Sequence, residues 1–176
     1  MDLTHDVSFV LDLDLPPEAA RAFVRDVPRS LSQATFLADL QVVEGQASQG
    51  VPKVVTATLP VNAALFGQRE LPFRSALSFT EQGASLRGLP LDPDGPGWAE
   101  VSGDARVLPV VLERGCRVEY HFSIAIHLAL PAPEKWGGKA LLSMIEFTAK
   151  SVLQQVMARF PAAVRAAARE VEAAWV

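Results

Sequence analysis

The stretch Cys116-Arg117-Val118-Glu119-Tyr120-His121-Phe122-Ser123-Ile124-Ala125-Ile126-His127-Leu128-Ala129-Leu130 decides the fold. Every second residue from Cys116 onward is apolar, while Arg117, Glu119, His121, Ser123 and His127 make the intervening positions mostly polar. That is the pattern of a strand with one covered face and one wet face. Pro131, Pro133, Gly137 and Gly138 then supply turn chemistry, and beyond them the apolar period becomes helical. Leu141, Ile145, Ala149, Val152, Val156, Phe160, Val164, Ala167, Val171 and Trp175 fall on one stripe of a long amphipathic helix. Such a helix must lie along a sheet, and the strand before it belongs to that sheet. Pro161 sits inside the helical pattern, where it removes a hydrogen bond and crowds the preceding turn. A kink or break is expected there, with the part after Phe160 held less firmly than residues 139–160.

Upstream, residues 7–13 alternate imperfectly and read as a first strand. Pro16, Pro17 and Glu18 open a helix over 18–26, because proline fits a first turn and an acid there complements the helix dipole. Ala19, Phe23 and Val27 share one face, Pro28 interrupts, and a second helical turn is read over 29–33. Strands follow over 36–44, 53–61, 68–80, 84–91, 98–113 and 116–130. Gln49-Gly50, Gln82-Gly83, the loop 92–97 and Arg114-Gly115 separate them. Short connections between successive strands imply antiparallel neighbours. The expectation is an α+β chain: a curved antiparallel sheet of about seven strands wrapped on the long C-terminal helix, with one or two short helices after the first strand.

At 176 residues the chain suits one domain over 1–176 with a sizeable core. A net charge of −4 leaves no positive excess for phosphate contacts, which argues against nucleic acid as a partner. The acidic start lacks the basic-then-apolar pattern of a secretory signal, and no apolar run approaches the roughly 20 residues that span a bilayer. A cytoplasmic protein is expected. The lone cysteine, Cys116, excludes an internal disulfide and a multi-cysteine zinc site, and its apolar register makes it a buried, inert thiol.

Three stretches carry a family resemblance: Pro17-Glu18-Ala19-Ala20-Arg21-Ala22-Phe23-Val24-Arg25-Asp26 in the first helix, Gly97-Trp98-Ala99-Glu100-Val101 in a central strand, and Arg114-Gly115-Cys116-Arg117-Val118-Glu119-Tyr120 at the turn into the last strand. With the order of elements, they resemble the helix-grip fold of the START, Bet v 1 and polyketide-cyclase (SRPBCC) superfamily. The wording is nearest to its carbon monoxide dehydrogenase G-like branch and to related uncharacterised bacterial families. Members of that branch tend to have a glycine near the end of the last strand, where this chain has Ile126-His127-Leu128. The resemblance implies a cavity between sheet and long helix that holds a hydrophobic or amphipathic small molecule. It implies no universal catalytic residue.

The residues themselves offer little for catalysis. His121 and His127 are six positions apart on one strand, roughly 20 Å, too far to share a metal, and both take the polar register, where a histidine faces solvent. His5 is remote in sequence. No metal site and no cofactor is expected. Asp6, Asp12 and Asp14 take the polar register of the first strand. No phosphate-binding glycine loop or nucleophile elbow occurs, and Ser75, Ser123 and Ser151 lack a local base. The apolar side is richer. Phe9, Phe36, Phe73, Leu77, Phe79, Trp98, Tyr120, Phe122 and Ile124 are read as facing Leu141, Met144, Ile145, Thr148, Val152 and Val156 of the helix. From these the expected ligand site is Phe73, Leu77, Trp98, Tyr120, Phe122, Met144, Ile145, Thr148 and Val152, with Ser75 as a further small polar group. Tyr120 or Thr148 would fix orientation, because a buried tyrosine hydroxyl needs a partner. The function expected is binding of a lipophilic small molecule without catalysis. The alternatives are a cyclase or dehydratase using the same pocket, and a chaperone or interaction subunit for a partner protein or homodimer.

Overall fold

A computed structural model describes every residue except 47, 49, 52, 64–66, 92–96, 111–113, 130–137 and 176, and gives only the backbone at 63. The elements are β1 Asp2–Leu13, α1 Pro17–Arg25, α2 Val27–Ser30, β2 Ala38–Glu44, β3 Lys53–Ala63, β4 Gly67–Phe79, β5 Gly83–Leu89, β6 Gly97–Pro109, β7 Cys116–Leu128 and α3 Lys139–Trp175. The strands form one sheet in the order β1-β7-β6-β5-β4-β3-β2. From β2 to β7 each strand pairs antiparallel with the next, and β1 joins the far side by pairing antiparallel with β7. This is the helix-grip fold: an antiparallel sheet, two short helices after its first strand, and a long helix on its covered face. The expected loop at 92–96, the strand ends at 111–113 and 130, and the turn at 131–137 lie outside the described residues.

The alternation of β7 survives folding. Cys116, Val118, Tyr120, Phe122, Ile124 and Ile126 are buried in the core, and the residues between them are exposed or partly so. β1 starts five residues before its expected beginning, because its pairing with β7 runs unbroken from Asp2 opposite His127 to Leu13 opposite Cys116. The polar residues Thr4, His5 and Asp6 hid that extension. β5 is short and pairs with β6 only over Gly83 to Leu86. Near this point β4 approaches β6: Phe73 pairs with Ala99 in parallel, and the buried Ser75 hydroxyl donates to the Val101 carbonyl at 2.6 Å.

α1 buries Ala20, Phe23 and Val24. Its last residue, Arg25, donates to the carbonyls of Thr80 at 2.6 Å and Gly83 at 3.2 Å, tying the helix to the β4–β5 hairpin. α2 begins two residues before the expected turn. Asp26 caps it by accepting from the Arg29 amide, and Pro28 takes a first-turn position where no amide hydrogen is needed, so the residue read as an interruption helps start a helix.

α3 overturns the expected break: it continues through Pro161 as one helix, and its second part is well buried instead of loosely packed. Ala163, Val164, Ala167, Ala168 and Val171 are buried. Glu172 accepts from the Asp14 amide at 2.8 Å, and Glu170 accepts from the Gln33 side chain at 2.9 Å. The first part exposes Met144 (57 %) and Phe147 (75 %). Small side chains after Pro161 leave the helix backbone free to approach its neighbours, and burial accumulates there. The stripe ends before Trp175, which is 60 % exposed.

Candidate ligand-binding site

Two small cavities lie in the described core. The first, about 40 Å³, is roofed by Val24, Val27, Ser30 and Leu31 of the α1–α2 region and floored by β4, β5, β6 and β7 through Leu77, Ala84, Gly103 and Tyr120. The second, about 20 Å³, is lined among the described residues by apolar side chains alone, including Phe36, Val55, Phe73, Val101, Ile124 and Val156. Leu31, Leu86, Phe122 and Phe160 line both. Phe160 occupies the middle of an aromatic cluster, with ring centroids 4.5 Å from Phe122, 5.9 Å from Phe36 and 6.0 Å from Phe9. Gly103 makes room for this cluster. A Cβ there would stand 2.7 Å from Phe122 Cδ1 and 2.3 Å from the His121 carbonyl oxygen, so a side chain would collide with ring and backbone together.

Tyr120 is the polar exception. Its ring stacks on Phe9 at 4.8 Å with 9° between the planes, and the residue is only 5 % exposed. Its hydroxyl is fully buried and has no hydrogen-bond partner in the structure. An unpaired buried donor costs about 1–3 kcal/mol. Burial also pushes the phenol well above the usual tyrosine range, so at neutral pH the group is a donor and never a base. The other polar side chains of the first cavity are engaged. Ser30 donates its hydroxyl to the Phe23 carbonyl, and the Asp104 carboxylate accepts from Arg106 at 3.1 Å.

The expected site residues divide. Leu77, Tyr120 and Phe122 line the first cavity, and Phe73 and Phe122 line the second. Ile145 is buried and Val152 packs against the core, but neither lines these cavities. Met144 points to solvent. Thr148 donates its hydroxyl to the Met144 carbonyl at 2.8 Å, and Ser75 is committed to Val101, so neither hydroxyl is held out to a ligand. Trp98 is corrected most clearly. Ala99, Val101, Ala105 and Val107 take the buried register of β6, which turns Trp98 to the opposite face, stacked at 4.1 Å on His127. Phe79 is 52 % exposed at its strand end, between Arg25 and Lys53. Phe160 was missed as a lining residue although it stands on the apolar stripe; Leu31 and Leu86 carried no local signal.

Away from the cavities, His121 Nδ1 lies 2.7 Å from the Ser8 hydroxyl. His127 Nδ1 lies 2.8 Å from Asp2, and its Nε2 is buried 3.5 Å from Glu100 with no hydrogen-bond partner. This ring is therefore partly enclosed rather than solvent-facing. The Cys116 thiol is buried, and burial raises its pKa, the opposite of what a nucleophile needs. Among the described residues no group of three His, Cys, Asp or Glu could hold a metal ion, and no helix is long and apolar enough to cross a membrane.

A family model described as "Protein of unknown function (DUF3809)" matches residues 8–158. No curated protein matches the chain. Among solved structures the chain is similar to the Zhui aromatase/cyclase from Streptomyces sp. R1128, at 15 % identity over 97 % of this chain and 94 % of that one, with a TM-score of 0.58. It is also similar to the di-domain ARO/CYC StfQ from the steffimycin biosynthetic pathway, at 13 % identity over 99 % and 53 % of the two chains, TM-score 0.54. The di-domain ARO/CYC BexL from the BE-7585A biosynthetic pathway matches at 12 % identity over 94 % and 50 %, TM-score 0.51. The chain thus spans about half the length of each di-domain protein. Likeness at these identities shows the fold alone.

Proposed function

The chain belongs to the family described as "Protein of unknown function (DUF3809)", and from that premise we propose that it binds a hydrophobic or amphipathic small molecule in the core between the sheet and its helices. The observation that carries the reading is the buried, unpaired hydroxyl of Tyr120, a residue that lines an otherwise almost apolar cavity. A packed core has no use for such a donor, whereas a ligand site combines apolar walls with a few placed polar groups. Burial of the ligand's apolar surface would drive binding at roughly 25 cal/mol per Å². Cavities of about 40 and 20 Å³ are far below the roughly 300–1,000 Å³ of sites for drug-sized ligands. Binding of a larger molecule within these two cavities therefore requires their shared partition of Leu31, Leu86, Phe122 and Phe160 to move and join them. The carbon monoxide dehydrogenase G-like branch as nearest relation is part of the same proposal and rests on the stretches around Phe23, Trp98 and Arg117.

A second reading, an enzyme of the cyclase or dehydratase kind, draws on the aromatase/cyclases of like fold. Tyr120 would serve it as a proton donor. The described lining of the two cavities offers it no free base, since the Asp104 carboxylate is turned to Arg106. Binding is accordingly the reading we favour.

Ala84, buried in the wall of the first cavity, provides the test. Ala84→Leu fills the space with a larger side chain, at an overpacking cost of typically about 1–3 kcal/mol. Solvent extraction followed by mass spectrometry is expected to release a lipophilic molecule from the purified parent and none from the folded variant. A parent that yields no such molecule and binds no neutral lipophilic dye would leave a packed core as the explanation.

A further inference from the structure

Resting on that reading, we infer that the molecule held under α1 and α2 is uncharged and is received through one acceptor oxygen, a carbonyl or an ether, by the hydroxyl of Tyr120. The donor is present and idle: the hydroxyl is buried and without a partner, on a residue that lines the cavity. The plane of its ring is set by stacking. Phe9 lies flat against the ring at 4.8 Å, and Phe122 lies at 5.9 Å with 19° between the planes.

The walls exclude a charge. An anionic headgroup taken out of water needs a cationic partner and several hydrogen bonds to offset its desolvation. Among the described residues no Lys, Arg or His lines either cavity. Arg25, on the neighbouring helix, gives its guanidinium to the carbonyls of Thr80 and Gly83. A cationic ligand fares no better, because the one acidic residue among the described lining, Asp104, is engaged by Arg106. A neutral molecule with a single acceptor satisfies the orphan hydroxyl and leaves no charge unpaired. The contact of Phe122 with Phe160, 4.5 Å between centroids, stands where its apolar remainder would have to pass into the second cavity.

Three probes of similar size separate the possibilities: acetophenone, ethylbenzene and benzoate, titrated into the parent protein and Tyr120→Phe. The variant removes only the hydroxyl, and a thermal melt verifies that it is folded. Expected is a loss of about 3- to 10-fold in acetophenone affinity on Tyr120→Phe, the worth of one neutral hydrogen bond. Ethylbenzene affinity should be unchanged or slightly tighter, and benzoate should bind neither protein. The carbonyl stretch of bound acetophenone should move to lower frequency in the parent and return in the variant. Equal acetophenone affinity for both proteins, or benzoate binding comparable to acetophenone, would overturn the assignment of ligand class while leaving the binding cavity standing. Failure of both acetophenone and ethylbenzene to bind either protein would remove the binding reading and this inference with it.

Discussion

At Tyr120 the burial that leaves the hydroxyl unpaired also governs its ionisation. The folded-state pKa is raised by burial above the roughly 10 of an unfolded tyrosine. As pH climbs past that value the unfolded chain loses the proton first, so the unfolded state binds fewer protons and stability falls with rising pH. The contribution is fully present below pH about 10 and is lost above it. Tyr120→Phe removes the group and, near neutral pH, also removes an unpaired buried donor, so the variant should equal or exceed the parent in stability. Above pH about 10 its advantage should widen by about 1.4 kcal/mol per pH unit. Urea titrations of both proteins between pH 8 and 11 provide the check, and parallel curves would show that the phenol reaches water. Since Tyr120 is the chain's one tyrosine, tyrosinate absorbance in the same samples reports it alone.

Among the elements, α3 shows how packing overrides a local signal. Pro161 lacks the amide hydrogen for one helical bond, a defect worth about 3 kcal/mol or more in an isolated helix interior. The flanking turns offset it by burying Phe160, Ala163 and Val164, and the carboxylates of Glu170 and Glu172 bond to Gln33 and Asp14. Hydrogen exchange should accordingly find residues 163–171 protected at least as well as 145–157. Faster exchange after Phe160 would mean that the proline governs the helix after all. The same contrast appears on β6, where alternation outranks size: small Ala99 and Ala105 face inward and the large Trp98 faces outward.

For the whole molecule, the walls of the first cavity come from α2, α3 and four strands together with α1, so the site exists only in the folded chain. A ligand there must stabilise folding by mass action, by about 2.7 kcal/mol at a free concentration 100 times Kd. In a protein of this length that corresponds to roughly 5–10 °C in Tm. Scanning calorimetry with excess acetophenone should show such a rise in the parent and little in Ala84→Leu. An equal rise in both would place the molecule outside this cavity.

The order of elements, the seven strands and the long helix were legible in the chain because each depends on local period and turn chemistry. Alternation over 116–128, turn residues at the hairpins and the stripe along α3 are properties of neighbouring residues, and they survive in the structure. Tyr120 was legible for the same reason: its strand face was plain and a buried phenol needs a partner. The cavities were not. They are what remains between elements after side chains distant in sequence have packed, so their position depends on separations that no local pattern encodes. The two described cavities reach α3 at Val156, Phe160 and Val164, and packing bound the hydroxyls of Ser75 and Thr148 to backbone carbonyls. It left the hydroxyl of Tyr120, a residue that lines the space, buried without a partner, because the described walls are almost wholly apolar and their few other polar side chains are already engaged.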